Sequence, residues 1–180
     1  MRYKRSTAKG ATFFFTLVTY NRQPLLCHEE NIRLLREAFH RVMQKHPFII
    51  DACVALPDHL HCIWTLPPED SNYPLRRRQV KSYFSRHCNV AYKGEQTASQ
   101  RDRGEQSVWQ HCYWEHQIRD DLDMIGHIEY IHYNPVKHGL AKAPILWPYT
   151  TFQRYVKEGR YHANWGASQE VRFDKTIGNE

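Results

Sequence analysis

The sequence predicts an α+β protein with a ferredoxin-like (split βαβ) fold: an antiparallel sheet with helices packed on one face, followed by a basic C-terminal extension. Three observations predict this fold class. An aromatic, β-branched run precedes a long segment with helical periodicity. Two further strand-like runs are separated by only two residues, which is the spacing of an antiparallel hairpin. A second helical segment and a fourth strand-like segment complete the order strand–helix–strand–strand–helix–strand, which leaves the other sheet face open for a ligand.

The first half of the chain supplies three predicted strands and one helix. Residues 13–20 form the first strand because they are dense in aromatic and β-branched side chains. Residues 28–46 form an amphipathic helix of about five turns, since apolar residues recur there at three- and four-residue spacing. Pro47 ends this helix, and residues 48–56 and 59–66 form the second and third strands.

The second half contains two predicted helices on either side of a polar loop. Residues 75–89 form a basic helix, and residues 93–106, apolar only at Ala98, form a flexible loop. Residues 108–118 are strand-like, and a third helix runs from Asp120 or Asp121 to about Tyr133. We expect one catalytic domain over residues 1–150 and a tail with one short helix over residues 151–180.

Composition narrows the class of protein. No apolar run approaches the roughly 18 to 20 residues that span a bilayer. The five cysteines contain no C-x-x-C pair, which indicates a reducing compartment and argues against a cysteine zinc site. A net charge of +6 and 13% aromatic residues suit phosphate neutralisation and base stacking, although charge alone assigns no function. The candidate DNA contacts are Arg2, Lys4, Arg5, Arg76, Arg77, Arg78, Lys81 and Lys137; for those on the second helix, a solvated helix face is the alternative.

Two histidines in the third strand predict a metal site. Successive side chains of a strand point to opposite faces, so His59 and His61 share one face while Leu60 points to the other. Two imidazoles side by side on a rigid strand can chelate one divalent metal. Two surface histidines on an edge strand are the alternative for an isolated His-x-His.

The third helix carries a tyrosine away from its apolar stripe. At about 100° per residue, one half of the circumference collects the apolar residues and is predicted to be buried. These residues are Leu122, Met124, Ile125, Ile128 and Ile131. Tyr130 lies almost opposite them, with Asp123 and His127 on the same polar side and Asn134 one turn further on. This position makes core packing a weaker explanation for Tyr130; an exposed tyrosine without a role is the other alternative.

These side chains suit phosphoryl transfer if the tyrosine meets the imidazole face. A metal held by two imidazoles and one oxygen keeps positions open for a phosphate oxygen. A tyrosine hydroxyl in line with the phosphorus can attack it, forming a covalent phosphotyrosine and releasing a 3′ hydroxyl. Asn134, at i+4 from Tyr130, could supply the metal oxygen, but Pro135 disfavours helical geometry there, so the helix is expected to end at Asn134.

The histidine motif and the segment around Tyr130 resemble those of a known family. His59-Leu60-His61 has the form of the histidine–hydrophobe–histidine (HUH) motif of single-strand DNA endonucleases. Trp109-Gln110, Trp114-Glu115-His116 and residues 130–140 (YIHYNPVKHGL) resemble the REP-associated tyrosine transposases. The resemblance extends to about Trp165, and the loop at residues 93–106 is longer than the usual spacer.

The resemblance implies that His59 and His61 bind Mg²⁺ or Mn²⁺, that Tyr130 is the nucleophile and that Asn134 is the third ligand. It implies cleavage and rejoining of single-stranded DNA at hairpins of repetitive extragenic palindromes through a 5′-phosphotyrosine. It also implies a monomer with the whole active site in one chain, working at the nucleoid in the bacterial cytoplasm without a membrane partner.

Two other functions stay open at the level of sequence. The first is a non-catalytic module that binds hairpin DNA or RNA. The second is a histidine–metal hydrolase that activates water, for which Asp58 and Glu115 are the nearest acidic ligand candidates.

Overall fold

Four strands form one antiparallel sheet in the order β2-β3-β1-β4 in the computed structural model, which describes residues 8–167, 171–173 and 177. The strands are β1 Thr12–Val18, β2 Ile49–Ala55, β3 His59–Thr65 and β4 Trp114–Gln117. β2 and β3 form the predicted hairpin, in which Cys53 lies opposite Cys62. The α+β class and the antiparallel sheet are therefore confirmed.

Five α-helices lie in the described part of the chain: α1 Glu29–Lys45, α2 Tyr73–His87, α3 Ala98–Asp102, α4 Asp121–Lys137 and α5 Phe152–Lys157. Three short 3₁₀ segments accompany them, at Tyr20–Arg22, Val90–Tyr92 and Pro144–Leu146. None of the described helices is long and apolar enough to cross a membrane.

Helices cover both faces of the sheet, which differs from the open face that the element order predicts. Phe13 and Phe15 of β1 pack with α1 and α2 in one core, whereas Phe14 packs with α4 and α5 in a second core. The reason lies in β1, where Phe13, Phe14 and Phe15 are all at most 1% exposed. A strand that is apolar on both faces needs a layer on each side.

Two other elements differ from their predictions. The loop at residues 93–106 contains α3, because Thr97 and Gln100 form a capping box that satisfies backbone N–H groups at its start. Helix α4 continues through Pro135 to Lys137 instead of ending at Asn134. Asn134 and Pro135 are both buried, so packing holds a helical geometry that proline disfavours.

The predicted helix of the C-terminal tail is α5, which packs on the edge of the sheet. Thr150 forms a β-bridge with Val54, and the Cys53 N–H donates to the Thr151 hydroxyl at 2.9 Å. Phe152 and Tyr155 are buried beside α4. This segment therefore closes the open side of β2 and supports the helix that carries Tyr130.

Candidate active site

His59 and His61 lie side by side on the sheet face that α4 covers. Their ring centroids are 4.8 Å apart and the rings are nearly perpendicular, while Leu60 packs into the core on the other face. The shared face is the predicted one. The imidazoles are 5% and 0% exposed, and β3 lies between β1 and β2, so they are not surface histidines on an edge strand.

The Nδ1 atom of each imidazole forms a hydrogen bond with a neighbouring side chain. Nδ1 of His59 lies 2.6 Å from the Asp58 carboxylate, which also accepts a hydrogen bond from Arg22 at 3.1 Å. Nδ1 of His61 lies 2.9 Å from the hydroxyl of Thr16 on the neighbouring strand β1. Such partners fix the ring orientation and the tautomer of a metal-binding histidine. Nε2 is then the atom that each ring can offer to a metal.

The pKa shifts of His61 and Asp58 suit metal binding. Burial, and next the neighbouring imidazole of His59, hold the pKa of His61 well below its usual value. His61 is therefore neutral at neutral pH, the form that coordinates a metal. Burial alone would raise the pKa of Asp58, but its hydrogen bonds with His59 and Arg22 bring that pKa below the usual value, so Asp58 is an anionic partner.

Tyr130 of α4 packs directly on this pair. Its ring centroid lies 5.4 Å from that of His61, and Phe14 lines both rings. Tyr130 is 3% exposed, and Phe173 from the C-terminal segment contacts its ring at 5.5 Å between centroids. The structure thus brings the predicted tyrosine and the predicted imidazoles together within one chain.

The buried side of α4 is not the side that periodicity predicts. Ile128 and Ile131 are buried as predicted, but Leu122 is 82% exposed and Ile125 is 51% exposed. The prediction that these last two are buried was therefore wrong. The side that carries Tyr130 faces the sheet instead, where the Tyr130 ring packs against Phe14 and His61.

Asn134 carries a feature that points to a ligand. Its side chain is fully buried, and neither its amide oxygen nor its amide nitrogen has a hydrogen-bond partner among the described residues. A buried amide without partners costs about 1–3 kcal/mol. Asn134 lies one turn after Tyr130, whose ring contacts His61, and one turn before His138, whose ring contacts His59, and its amide supplies a hard oxygen donor. That set of donors fits a divalent metal ion with positions left open.

The two acidic alternatives are engaged elsewhere. Glu115 pairs with Phe15 across β1 and β4, so it lies on the face opposite the imidazoles, where it accepts a 2.6 Å hydrogen bond from Tyr73. Asp58 holds the outer nitrogen of His59. Glu115 therefore lies away from the imidazoles, and the Asp58 carboxylate lies at Nδ1 of His59 rather than at Nε2.

The end of α4 forms the exposed side of the site. The Lys137 ammonium donates to the Tyr130 hydroxyl at 3.4 Å and lies 4.7 Å from the ring centroid. The ring of His138 lies 5.2 Å from that of His59, and burial, followed by that histidine, lowers its pKa. The sequence prediction missed His138, although its spacing of eight residues from Tyr130 places it on the same side of the helix.

A second polar cluster fixes β4 to the start of α4. One carboxylate oxygen of Asp123 accepts from His116 at 2.7 Å and from the N–H and guanidinium of Arg119 at 3.0 and 3.1 Å. His127 Nδ1 lies 2.8 Å from the Asp123 carbonyl and 3.2 Å from its other carboxylate oxygen. The donor atoms lie close enough together for a cation, but hydrogen bonds already occupy the carboxylate. We interpret the cluster as a structural network that fixes the start of α4 to β4.

The structure contradicts the prediction that Arg76 contacts DNA. Its side chain is 1% exposed and donates to the carbonyls of His46 and Pro47 and to the Asp70 carboxylate, the last at 2.6 Å. It ties the end of α1 to the start of α2 and presents no donor to solvent. Arg2, Lys4 and Arg5 lie outside the described residues.

The other predicted cations of α2 line a basic groove. This groove of about 760 Å³ runs between α2 and residues 103–113. The Arg77 guanidinium lies 3.2 Å from the centre of the Tyr113 ring, and the Lys81 ammonium donates to the Gln110 carbonyl at 2.6 Å. Burial, and then Arg77, lower the pKa of Lys81 to about 8. Arg78, Arg86 and Arg103 also line the groove, and Glu105 is its acidic member.

The groove lies across the sheet from the imidazoles but ends close to them. α2 packs on the face opposite α4. The Gln110 N–H bonds to the Val18 carbonyl, and Val18 is paired with His59 at the end of β1. A polymer held in the groove would therefore have a short path around this end of the sheet to the imidazole face.

Comparisons with known proteins agree with this architecture. The family model described as "Transposase IS200 like" matches residues 7–134. A REP-associated tyrosine transposase of Escherichia coli (strain K12) is 39% identical over 163 residues, which cover 91% of this chain and 89% of that protein. A relative from Haemophilus influenzae is 36% identical over 175 residues, covering 97% and 98% of the two chains. A solved structure of a REP-associated tyrosine transposase bound to a REP hairpin superposes with a TM-score of 0.77 at 36% identity, covering 98% of this chain and 99% of that one.

Proposed function

The chain belongs to the IS200-like transposase family as a REP-associated tyrosine transposase, and from this premise we propose that it cleaves and rejoins single-stranded DNA at the hairpins of repetitive extragenic palindromes. The observation that carries the proposal is the contact between Tyr130 and His61, whose ring centroids are 5.4 Å apart. It sets a nucleophilic hydroxyl group beside a pair of imidazoles that can bind a metal.

His59, His61 and Asn134 are the residues that would hold the divalent metal that the family implies, with Mg²⁺ or Mn²⁺ as the proposed ion. Two imidazoles and an amide oxygen suit such ions. The buried amide of Asn134 has no hydrogen-bond partner among the described residues, which supports its role as a ligand. When bound, the metal supplies Lewis-acid activation and orientation of a phosphate oxygen.

Tyr130 is the proposed nucleophile. Its hydroxyl oxygen attacks the phosphorus, the bond from phosphorus to the 3′ oxygen breaks, and that oxygen takes up a proton and leaves as a 3′ hydroxyl. The DNA then stays attached through a 5′-phosphotyrosine ester. Attack by a 3′ hydroxyl reverses the step, so strands are rejoined without ATP. Burial of the Tyr130 ring against His61 and Phe14 limits its motion and favours a geometry that is ready for attack.

The basic groove is the proposed binding site for the DNA backbone. Arg77, Arg78 and Lys81 supply cations, and the lowered pKa of Lys81 indicates an ammonium that a bound phosphate would stabilise. Lys137 provides a cation at the exposed side of the active site. The catalytic and metal-binding residues lie in one chain, so a monomer is the proposed working unit, acting at the nucleoid in the cytoplasm without a membrane partner.

Denaturing electrophoresis of the protein after incubation with a labelled hairpin oligonucleotide and Mg²⁺ or Mn²⁺ tests the proposal. We expect a protein band that carries the label and that Tyr130→Phe does not form. Cleaved DNA without labelled protein would identify a hydrolase that activates water. Salt-dependent binding without cleavage under either metal would identify a hairpin-binding module.

A further inference from the structure

We propose that Lys137 is a catalytic residue, whose ammonium donates a hydrogen bond to the Tyr130 oxygen that attacks phosphorus. This role rests on the function proposed above and differs from the DNA contact that the sequence predicts for Lys137. The distance from Nζ to the hydroxyl oxygen is 3.4 Å, and Nζ lies 4.7 Å from the ring centroid. The ammonium therefore lies beside the reacting atom.

Helix geometry explains how the two side chains meet. Lys137 is seven residues after Tyr130, which is two turns and roughly 10 Å along the axis. Side chains of a helix lean toward its N-terminus, and a lysine stem is long enough to extend back over the preceding turns. Lys137 is also the last residue of α4, where the helix dipole favours a cation. Both residues belong to the same continuous helix, α4.

The ammonium of Lys137 donates to the Tyr130 hydroxyl group instead of forming an ion pair with a carboxylate of the described residues. In the described part of the chain, no carboxylate lies within ion-pair distance of it. The residue is exposed, whereas the Tyr130 ring is 3% exposed. The lysine therefore keeps its ammonium in contact with solvent while one N–H points into the site. An ammonium beside a phenol oxygen stabilises negative charge that develops on that oxygen.

The chemical step balances without a further reactant except water. As the hydroxyl group attacks, its proton passes to water and its oxygen forms the bond to phosphorus. The bond to the 3′ oxygen breaks, and that oxygen takes a proton from water. Lys137 keeps its own protons and stabilises the charge on the attacking oxygen. In rejoining, the same ammonium stabilises the departing phenolate, so both directions depend on it.

Two kinetic readouts separate catalysis from a DNA contact. The rate of covalent adduct formation is measured by rapid quench at saturating hairpin DNA with Mn²⁺, and the Kd for the hairpin is measured in parallel. We expect Lys137→Met to slow adduct formation about 100-fold, as loss of one preorganised donor does in other enzymes. Its Kd should stay within about threefold of the wild type, since one phosphate contact at most is lost. Lys137→Arg should restore part of the rate because it keeps a cationic donor.

Lys142→Met is the matched control, because Lys142 is an exposed lysine five residues further on, outside the site. We expect it to form the adduct at the wild-type rate. The role of Lys137 is overturned if its methionine variant keeps the wild-type rate, if only its Kd rises, or if the Lys142 variant slows equally. A wild type that forms no adduct overturns the proposed function and this role with it, whereas the outcomes above leave the function standing.

Discussion

Oδ1 of Asp58 lies 2.6 Å from Nδ1 of His59, the next residue along the chain. This carboxylate fixes the ring so that Nε2 is the nitrogen available to a metal. We expect Asp58→Asn to weaken Mn²⁺ binding about 10- to 100-fold, as loss of a partner behind a metal-binding histidine does. Titration calorimetry with Mn²⁺ measures the effect.

Asp102→Asn, an exposed change on α3, is the control for the loss of one negative charge and should bind Mn²⁺ like the wild type. If Asp58→Asn binds Mn²⁺ with unchanged affinity, the carboxylate does not orient a metal ligand.

The buried amide of Asn134 predicts opposite effects with and without metal. We expect Asn134→Leu to raise the free energy of unfolding in EDTA by about 1–2 kcal/mol, because an amide without partners is removed. In the wild type, Mn²⁺ at about 100 times its Kd should add roughly 2.7 kcal/mol. Asn134→Leu should lose most of that gain. Thermal unfolding in EDTA and in Mn²⁺ gives both values, and an equal rise of Tm with Mn²⁺ in both proteins would contradict the ligand role.

Substitutions of two neighbouring arginines of α2 are expected to have different effects, one on stability and the other on DNA binding. Arg76→Met should lower the free energy of unfolding by about 3 kcal/mol, since it removes the buried donor shared by the carbonyls of His46 and Pro47 and the Asp70 carboxylate. Arg78→Met, at an exposed position, should leave stability within about 0.5 kcal/mol and reduce the salt slope of hairpin binding by about 1. Urea unfolding and binding at several salt concentrations separate the two. A stable Arg76→Met protein with a reduced salt slope would restore Arg76 as a DNA contact.

His132 makes the fold sensitive to acid. Burial, and then Arg154, lower the pKa of His132 to about 3, whereas it titrates near 6.5 in the unfolded chain. The unfolded state therefore binds more protons as the pH falls from about 6.5 toward 3, and stability falls by up to roughly 1.4 kcal/mol for each pH unit. We expect His132→Gln to flatten this slope in urea unfolding between pH 7 and pH 5.

His40→Gln, at an exposed position on α1, should leave the slope unchanged. A His132→Gln protein as sensitive to acid as the wild type would show that other groups carry the pH dependence.

The sequence predicted the elements whose signal is local. The alternation that sets His59 and His61 on one face, and the hairpin around Asp58, follow from strand geometry alone. The position of Tyr130 beside the imidazoles was also anticipated, but for an incomplete reason. Periodicity identifies apolar faces, so it assigned Leu122 and Ile125 to the interior and left the tyrosine outside, whereas in the structure the side with Tyr130 packs on the sheet and Leu122 and Ile125 are exposed.

Other features depend on contacts between distant parts of the chain. Arg76 resembles its neighbours in sequence, and only the carbonyls at the end of α1 and the Asp70 carboxylate make it structural. The second sheet face is covered because Phe14 is apolar where a one-sided strand would be polar, a signal that was present in the run Phe13-Phe14-Phe15. The contact from Lys137 to Tyr130 required the course of α4 beyond Pro135, which local preference argues against.

The most direct test of the central claim is to identify the residue that carries DNA. The wild-type protein is incubated with hairpin DNA and Mn²⁺, the DNA is trimmed with nuclease, and the peptides are sequenced by tandem mass spectrometry. We expect a nucleotide phosphate on Tyr130 and none on Tyr133, the neighbouring tyrosine on the same helix, with the signal lost in Tyr130→Phe and kept in Tyr133→Phe. A nucleotide attached to any other residue, or cleavage without attachment, would contradict the account.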